Sequence, residues 1–247
     1  MNGSRDRTRT PVRRRDEKSP DTVSTRADID AFVQRARAVG PRTDGKRGRL
    51  IFALDATMSR QPMWDLACNL QAEMFQETAE IGGLDVQLVY YRGVSECRAS
   101  KWVSDPKRLN SLMEQISVRG GHTQIGRVLE HVRKEAKRAK VDAFVFVGDA
   151  MEEPVDSLCA KAGELGLLGV PAFMFQEEND PIAESAFREI ARLTNGAWCR
   201  FDAGASAQLR DLLRAAAAFA AGGRQALTDL SKRSGSQGAI KLLGQMR

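Results

Sequence analysis

Asp55, Thr57 and Ser59 follow one another at two-residue intervals in the stretch LIFALDATMS, residues 50–59. A carboxylate and two hydroxyls alternating along an extended loop can point one way and offer hard oxygen donors. Such donors suit Mg²⁺, Mn²⁺ or Ca²⁺ rather than zinc. Three oxygens from one loop do not close a six-coordinate shell, so this chemistry requires further donors from elsewhere in the chain. Two candidates are Thr123, in RGGHTQIG behind Gly120 and Gly121, and Asp149, at the close of DAFVFVGD.

Positioning these groups together calls for a particular kind of sheet. Residues 50–54 form a near-continuous apolar run with strand character, as do residues 143–148. Strands buried on both faces belong to parallel sheets flanked by helices. Ligands of such sheets sit beyond the carboxyl ends of the strands, where Asp55 and Asp149 both fall. The Gly pair frees the backbone to turn before a helix expected to begin near Thr123.

The five positions in order, D-x-T-x-S followed by a Thr after a Gly pair and an Asp at a strand end, resemble the metal-ion-dependent adhesion site of von Willebrand factor type A domains. Thr57 stands where that family usually has Ser, which keeps the hydroxyl, and Ala150 follows Asp149 where many members have Gly. The resemblance covers roughly residues 50–221. It implies that Thr57, Ser59 and Thr123 supply hydroxyls to a Mg²⁺ ion, with Asp55 and Asp149 coordinating directly or through water, and that an acidic side chain of a protein partner completes the shell. It further implies a non-enzymatic interaction domain. By kinship with bacterial cytoplasmic members, an AAA-type ATPase is one expected partner.

The remaining chain fits one doubly wound α/β sheet, mostly parallel, with helices on both faces and one antiparallel edge strand. Helices are expected at 63–81, 106–116, 123–139, 154–168, 181–193 and 205–221. Strands are expected within 84–93 and at 96–103, 143–148, 170–175 and 197–201. Strands alternating with helices of ten or more residues imply right-handed βαβ crossovers.

Charge divides the chain differently. Residues 1–49 hold 14 Lys/Arg against 7 Asp/Glu, and residues 222–247 hold 5 against 1, within totals of 38 and 32. The central part is therefore left with 19 basic and 24 acidic residues, a balance of −5. Residues 1–25 read as a disordered basic arm, 26–49 as a helix and linker, 50–221 as the folded domain and 222–247 as a basic tail with a short docking helix around Ile240, Leu242 and Leu243. Basic arms attract nucleic acid, which makes a nucleic-acid-associated scaffold the alternative function. The four cysteines are widely spaced without a CxxC pair, as for reduced thiols in a cytoplasmic protein. The first residues are basic with no apolar segment behind them, so neither a secretory signal nor a membrane span is expected.

Enzymatic readings lack their residues. A strand-end Asp with VGD later in the chain also resembles haloacid dehalogenase-type phosphohydrolases, but their chemistry needs a second carboxylate two residues after the nucleophile. Thr57 occupies that place, and its hydroxyl does not exchange protons near neutral pH. No P-loop, GxSxG elbow or GxGxxG fingerprint is present.

Overall fold

The computed structural model describes residues 47–57, 61–202 and 205–246. Ser59, the arm expected at 1–25 and the helix expected at 26–39 lie outside the described residues.

The strands are β1 (Gly48–Asp55), β2 (Leu84–Arg92), β3 (Glu96–Ala99), β4 (Ala143–Gly148), β5 (Ala172–Glu177) and β6 (Ala197–Phe201). The helices are α1 (Gln61–Thr78), α2 (Pro106–Glu114), α3 (Ile125–Arg138), α4 (Val155–Leu167), α5 (Pro181–Leu193), α6 (Ser206–Ser234) and α7 (Gln237–Gln245). The six strands form one sheet in the order β3-β2-β1-β4-β5-β6. All neighbours run parallel except β3, the antiparallel edge strand beside β2. This is the doubly wound α/β architecture that the alternating pattern predicts. Its strand order reverses between β1 and β4, so the crevice at their carboxyl ends is the place where such sheets bind ligands.

Alternation along β1 builds two cores. Leu50, Phe52 and Leu54 face α1, α2, α6 and α7, whereas Ile51 and Ala53 face α3, α4 and α5. Each helix follows from its apolar stripe. In α3, Ile125, Val128, Leu129 and Val132 are fully buried, while Lys137 and Arg138 fall in the last turn, where they complement the helix dipole. Asp105 and Asp180 cap α2 and α5, each followed by Pro at the first turn.

The Ala-rich helix runs beyond the Gly pair at which the sequence pattern would end it. Gly223 adopts φ 65°, which turns the axis, and the helix then resumes because Ala226, Leu227 and Leu230 have an apolar surface to bury against. Helix α7 buries Leu242 fully, whereas Ile240 stays 48% exposed. Asp211 of α6 fastens it by accepting from Ser236 Oγ at 2.6 Å and from the Gly238 amide at 2.6 Å.

Both segments of α6 are tied to α1 through one carboxylate. Glu77 accepts from Arg214 Nη2 at 2.6 Å and Nε at 2.9 Å, and from Arg233 Nη2 at 2.6 Å, with only 5% of its side chain exposed. Removing it strands two guanidinium groups. Glu77→Ala is expected to destabilise the chain by about 3 kcal/mol, the low end for breaking a buried pair because both arginines reach solvent. A urea midpoint unchanged from wild type would show that the network contributes nothing.

Candidate metal centre

Asp55 ends β1 opposite Tyr91 in the β1–β2 register. It is 4% exposed. Its Oδ1 accepts from the Thr57 amide at 2.7 Å, an Asx turn that folds the loop back over the strand end and brings Thr57, also buried, to the same rim. On the other side, Leu54 pairs with Val147 of β4, so Asp149 emerges one residue beyond the point level with Asp55. Both carboxylates therefore stand at the same edge, on the two strands that flank the switch point. The Asp149 charge acts on Asp55.

Thr123 arrives on the long connection between α2 and α3, which is tied down at both ends of the crevice. The Arg119 amide donates to the Ala56 carbonyl at 3.0 Å, the His122 amide to the Gly93 carbonyl at 3.3 Å, and the Gln124 side chain to the Gly93 carbonyl at 3.2 Å. Toward β4, the Thr123 amide donates to Glu152 Oε2 and the Glu152 amide to Thr123 Oγ1, both at 3.1 Å. This reciprocal clasp joins the Thr123 loop to the loop that carries Asp149. Of the five residues marked by the sequence, the fold brings Asp55, Thr57, Thr123 and Asp149 to one rim. Ser59 lies outside the described residues.

Burial, reinforced by the Asp149 charge, raises the Asp55 carboxyl above its ordinary value, against the lowering effect of the Thr57 hydrogen bonds. Among the described residues, no Lys or Arg forms an ion pair with Asp55. Beside it the fully buried Tyr91 hydroxyl meets the Asp55 carboxylate and feels its charge. Burial and that charge hold the phenol protonated well above its usual range. Among the described residues no three His, Cys, Asp or Glu cluster as a soft or carboxylate-rich metal site would require. The donor set is two carboxylates plus hydroxyls, which fits a hard divalent ion.

Three residues at the site carry no motif that marks them in the sequence. Tyr91 is one, placed by strand register alone. Glu152 and Glu153 are the others, and rather than facing the crevice as free carboxylates they anchor the connection before α3. Glu153 accepts from the Ile125 amide at 2.5 Å and the Gly126 amide at 2.9 Å, capping a helix whose own N-cap residue, Gln124, provides no side-chain bond. The helix accordingly starts at Ile125 rather than at Thr123, and the Thr123 hydroxyl is engaged by Glu152 instead of by its own helix. Glu153→Ala should lower stability by about 1–2 kcal/mol through loss of this cap. Glu153→Gln should recover part of that loss in a thermal melt; equal losses would rule out a capping role.

No protein-family model and no curated protein matches the sequence. Solved structures do. An aerotolerance-related membrane protein from Bacteroides fragilis NCTC 9343, studied with multiple mutations to serines, aligns at 18% identity and TM-score 0.54, over 69% of this chain and 98% of that one. The SpRpn10 VWA domain aligns at 12% identity and TM-score 0.55, over 67% and 95%. Proximal thread matrix protein 1 from the mussel byssus, with a zinc-occupied MIDAS motif, aligns at 17% identity and TM-score 0.55, over 69% of this chain but 46% of its own. A doubly wound α/β sheet with a single antiparallel edge strand and a carboxylate–hydroxyl rim is the class these features define. The fold is that of a von Willebrand factor type A domain.

Proposed function

We propose that the chain is a non-enzymatic interaction domain that holds a divalent cation, Mg²⁺ by the hardness of its donors, at the carboxyl rim of β1 and β4. Asp55, Thr57, Ser59, Thr123 and Asp149 would form the protein's part of the shell; Mn²⁺ and Ca²⁺ suit the same oxygens. The bound ion supplies a Lewis-acidic position for an acidic side chain of a protein partner. The observation that carries this reading is the convergence of two carboxylate-bearing loops and the Thr123 loop on the sheet's switch point, around a buried Asp55 that no described basic residue pairs. Only two carboxylates contribute, so the loaded site carries no net negative charge to repel Asp or Glu, and an open coordination position on the ion attracts such a group from outside. Thr57 in place of a second acid–base carboxylate is what disfavours hydrolysis of phosphate esters. No described helix is long and apolar enough to cross a membrane. A cytoplasmic setting and an AAA-type ATPase as partner enter as part of the same proposal.

Titrating the full chain with Mg²⁺ in a calorimeter tests the ion. A pull-down run with and without EDTA tests the partner. Absence of saturable heat for Mg²⁺, Mn²⁺ and Ca²⁺ alike would remove the metal reading. A partner set unchanged by EDTA would remove the role of the ion in binding.

The charge asymmetry favours one second reading, in which the basic amino-terminal arm attaches the domain to nucleic acid. Arg233 in the tail is already occupied with Glu77, and Arg224 donates to the Met246 carbonyl at 3.1 Å, so this reading rests mainly on residues 1–49. Deleting residues 1–25 should abolish a salt-sensitive RNA shift, and persistence of the shift would refute it.

A further inference from the structure

The sheet edge at β3 offers a second surface, independent of the metal rim. A groove of about 410 Å³ runs between residues 100–103, which follow β3, and α2. Val103, 7% exposed, and the half-buried Leu112 form an apolar floor packed on the core. Around that floor stand Lys101, Lys107 and Arg108, with the hydroxyl of Ser111, and no acidic side chain lines it. All three cations are exposed. Among the described residues none of them forms an ion pair, although Arg92, Arg133, Arg192 and Arg214 of the same domain are each matched to a glutamate. Residues 50–221 carry an excess of acid, so unmatched positive charge gathered about an apolar floor runs against the character of the rest of the domain.

We propose that this groove binds an acidic peptide segment of a partner protein that also presents an apolar side chain. The apolar anchor would settle on Val103 and Leu112 while its carboxylates meet Lys101, Lys107 and Arg108, the combination of buried centre and charged rim that specific interfaces use. Nucleic acid fits less well, because no aromatic ring lines the groove for a base to stack on. The chain's own first 25 residues fit less well too, since their 7 Lys/Arg against 4 Asp/Glu would be repelled.

The test uses the full chain and a short fluorescein-labelled peptide of alternating glutamate and leucine. Polyglutamate of the same length and a single-stranded RNA of matching charge serve as comparisons. Lys107→Glu combined with Arg108→Glu reverses the rim in the first turn of α2, where acidic residues favour the helix dipole, so folding is retained. The glutamate–leucine peptide is expected to bind saturably, at least about tenfold more weakly in the double variant, and equally with and without EDTA. Loss of binding in EDTA would assign the peptide to the metal rim instead. Equal binding of polyglutamate or RNA would reduce the groove to general polyanion attraction. Unchanged affinity in the double variant, or no saturable binding at all, would overturn the proposal, and neither of these two outcomes bears on whether the rim holds an ion.

Discussion

Asp55→Asn is expected to abolish Mg²⁺ binding and, in the same protein, to raise the melting temperature of the metal-free chain at neutral pH. The two effects have one cause. Asp55 is buried, faces the charge of Asp149, and has no described basic partner, so ionising it costs the folded state free energy that the unfolded chain does not bear. Its folded pKa is raised above the ordinary 3.8. For an acid shifted in that direction, the folded state is favoured while the group is protonated, and this advantage is lost as pH rises through the raised value. Above it the metal-free chain bears the whole cost. Asparagine is neutral throughout and can still accept from the Thr57 amide, so the turn survives and the cost disappears. The variant should therefore melt higher than wild type at pH 7, with the gap closing as pH falls below the ordinary carboxylate range. Addition of Mg²⁺ reverses the order, because a ligand that binds only the folded state raises the wild type and leaves the variant unmoved. Affinity should fall by at least about 100-fold, since even residues that merely orient metal ligands cost 10–100-fold. A variant that melts below wild type in EDTA, or that still responds to Mg²⁺, would show that Asp55 is a structural carboxylate and not a ligand.

The dependence of that result on pairwise geometry explains which parts of the molecule could be read from residues alone. The strand at 143–148 and the helix at 181–193 match the sequence reading at both ends, as does the strand at 197–201, because each is an apolar run or stripe bounded by strong breakers or caps. The places of Asp55 and Asp149 at the sheet rim were legible too, because each follows an apolar run with strand character. Thr123 was legible as a residue but not in its setting. The helix after it takes its cap from Glu153, 27 and 28 residues away in sequence, and the Thr123 hydroxyl takes its partner from Glu152, 29 residues away. No local pattern encodes a clasp between two loops. Tyr91 was illegible for a related reason, since its place beside Asp55 depends on the β1–β2 register. The course of α6 past Gly223 shows the converse, a local stop signal overridden because Leu227 and Leu230 find a surface to cover.

Gly120 and Gly121 look equivalent in the sequence, and the structure separates them. A Cβ built on Gly121 would fall on the backbone of Gly93, 2.5 Å from both its carbonyl carbon and its Cα, and closer still to its carbonyl oxygen. Gly93 is in the turn between β2 and β3 with φ 61°, and it already accepts from the His122 amide and the Gln124 side chain. Backbone met by backbone cannot yield as a side-chain tip can, so Gly121→Ala must push the connection off the rim and carry Thr123 with it. Gly120 has nothing within 4 Å of such a Cβ, and its φ is not positive. Gly121→Ala is therefore expected to weaken Mg²⁺ binding by about tenfold or more, with a stability loss of about 1–3 kcal/mol from the forced shift. Gly120→Ala should leave affinity within about twofold and stabilise the chain by about 0.4–1 kcal/mol, because alanine narrows the unfolded ensemble without straining the folded one. Calorimetry of the two variants side by side checks this contrast. If both lose affinity equally, the loop is held by something other than its closeness to Gly93. If neither does, Thr123 is not among the groups that hold the ion, and the shell must close through other oxygens.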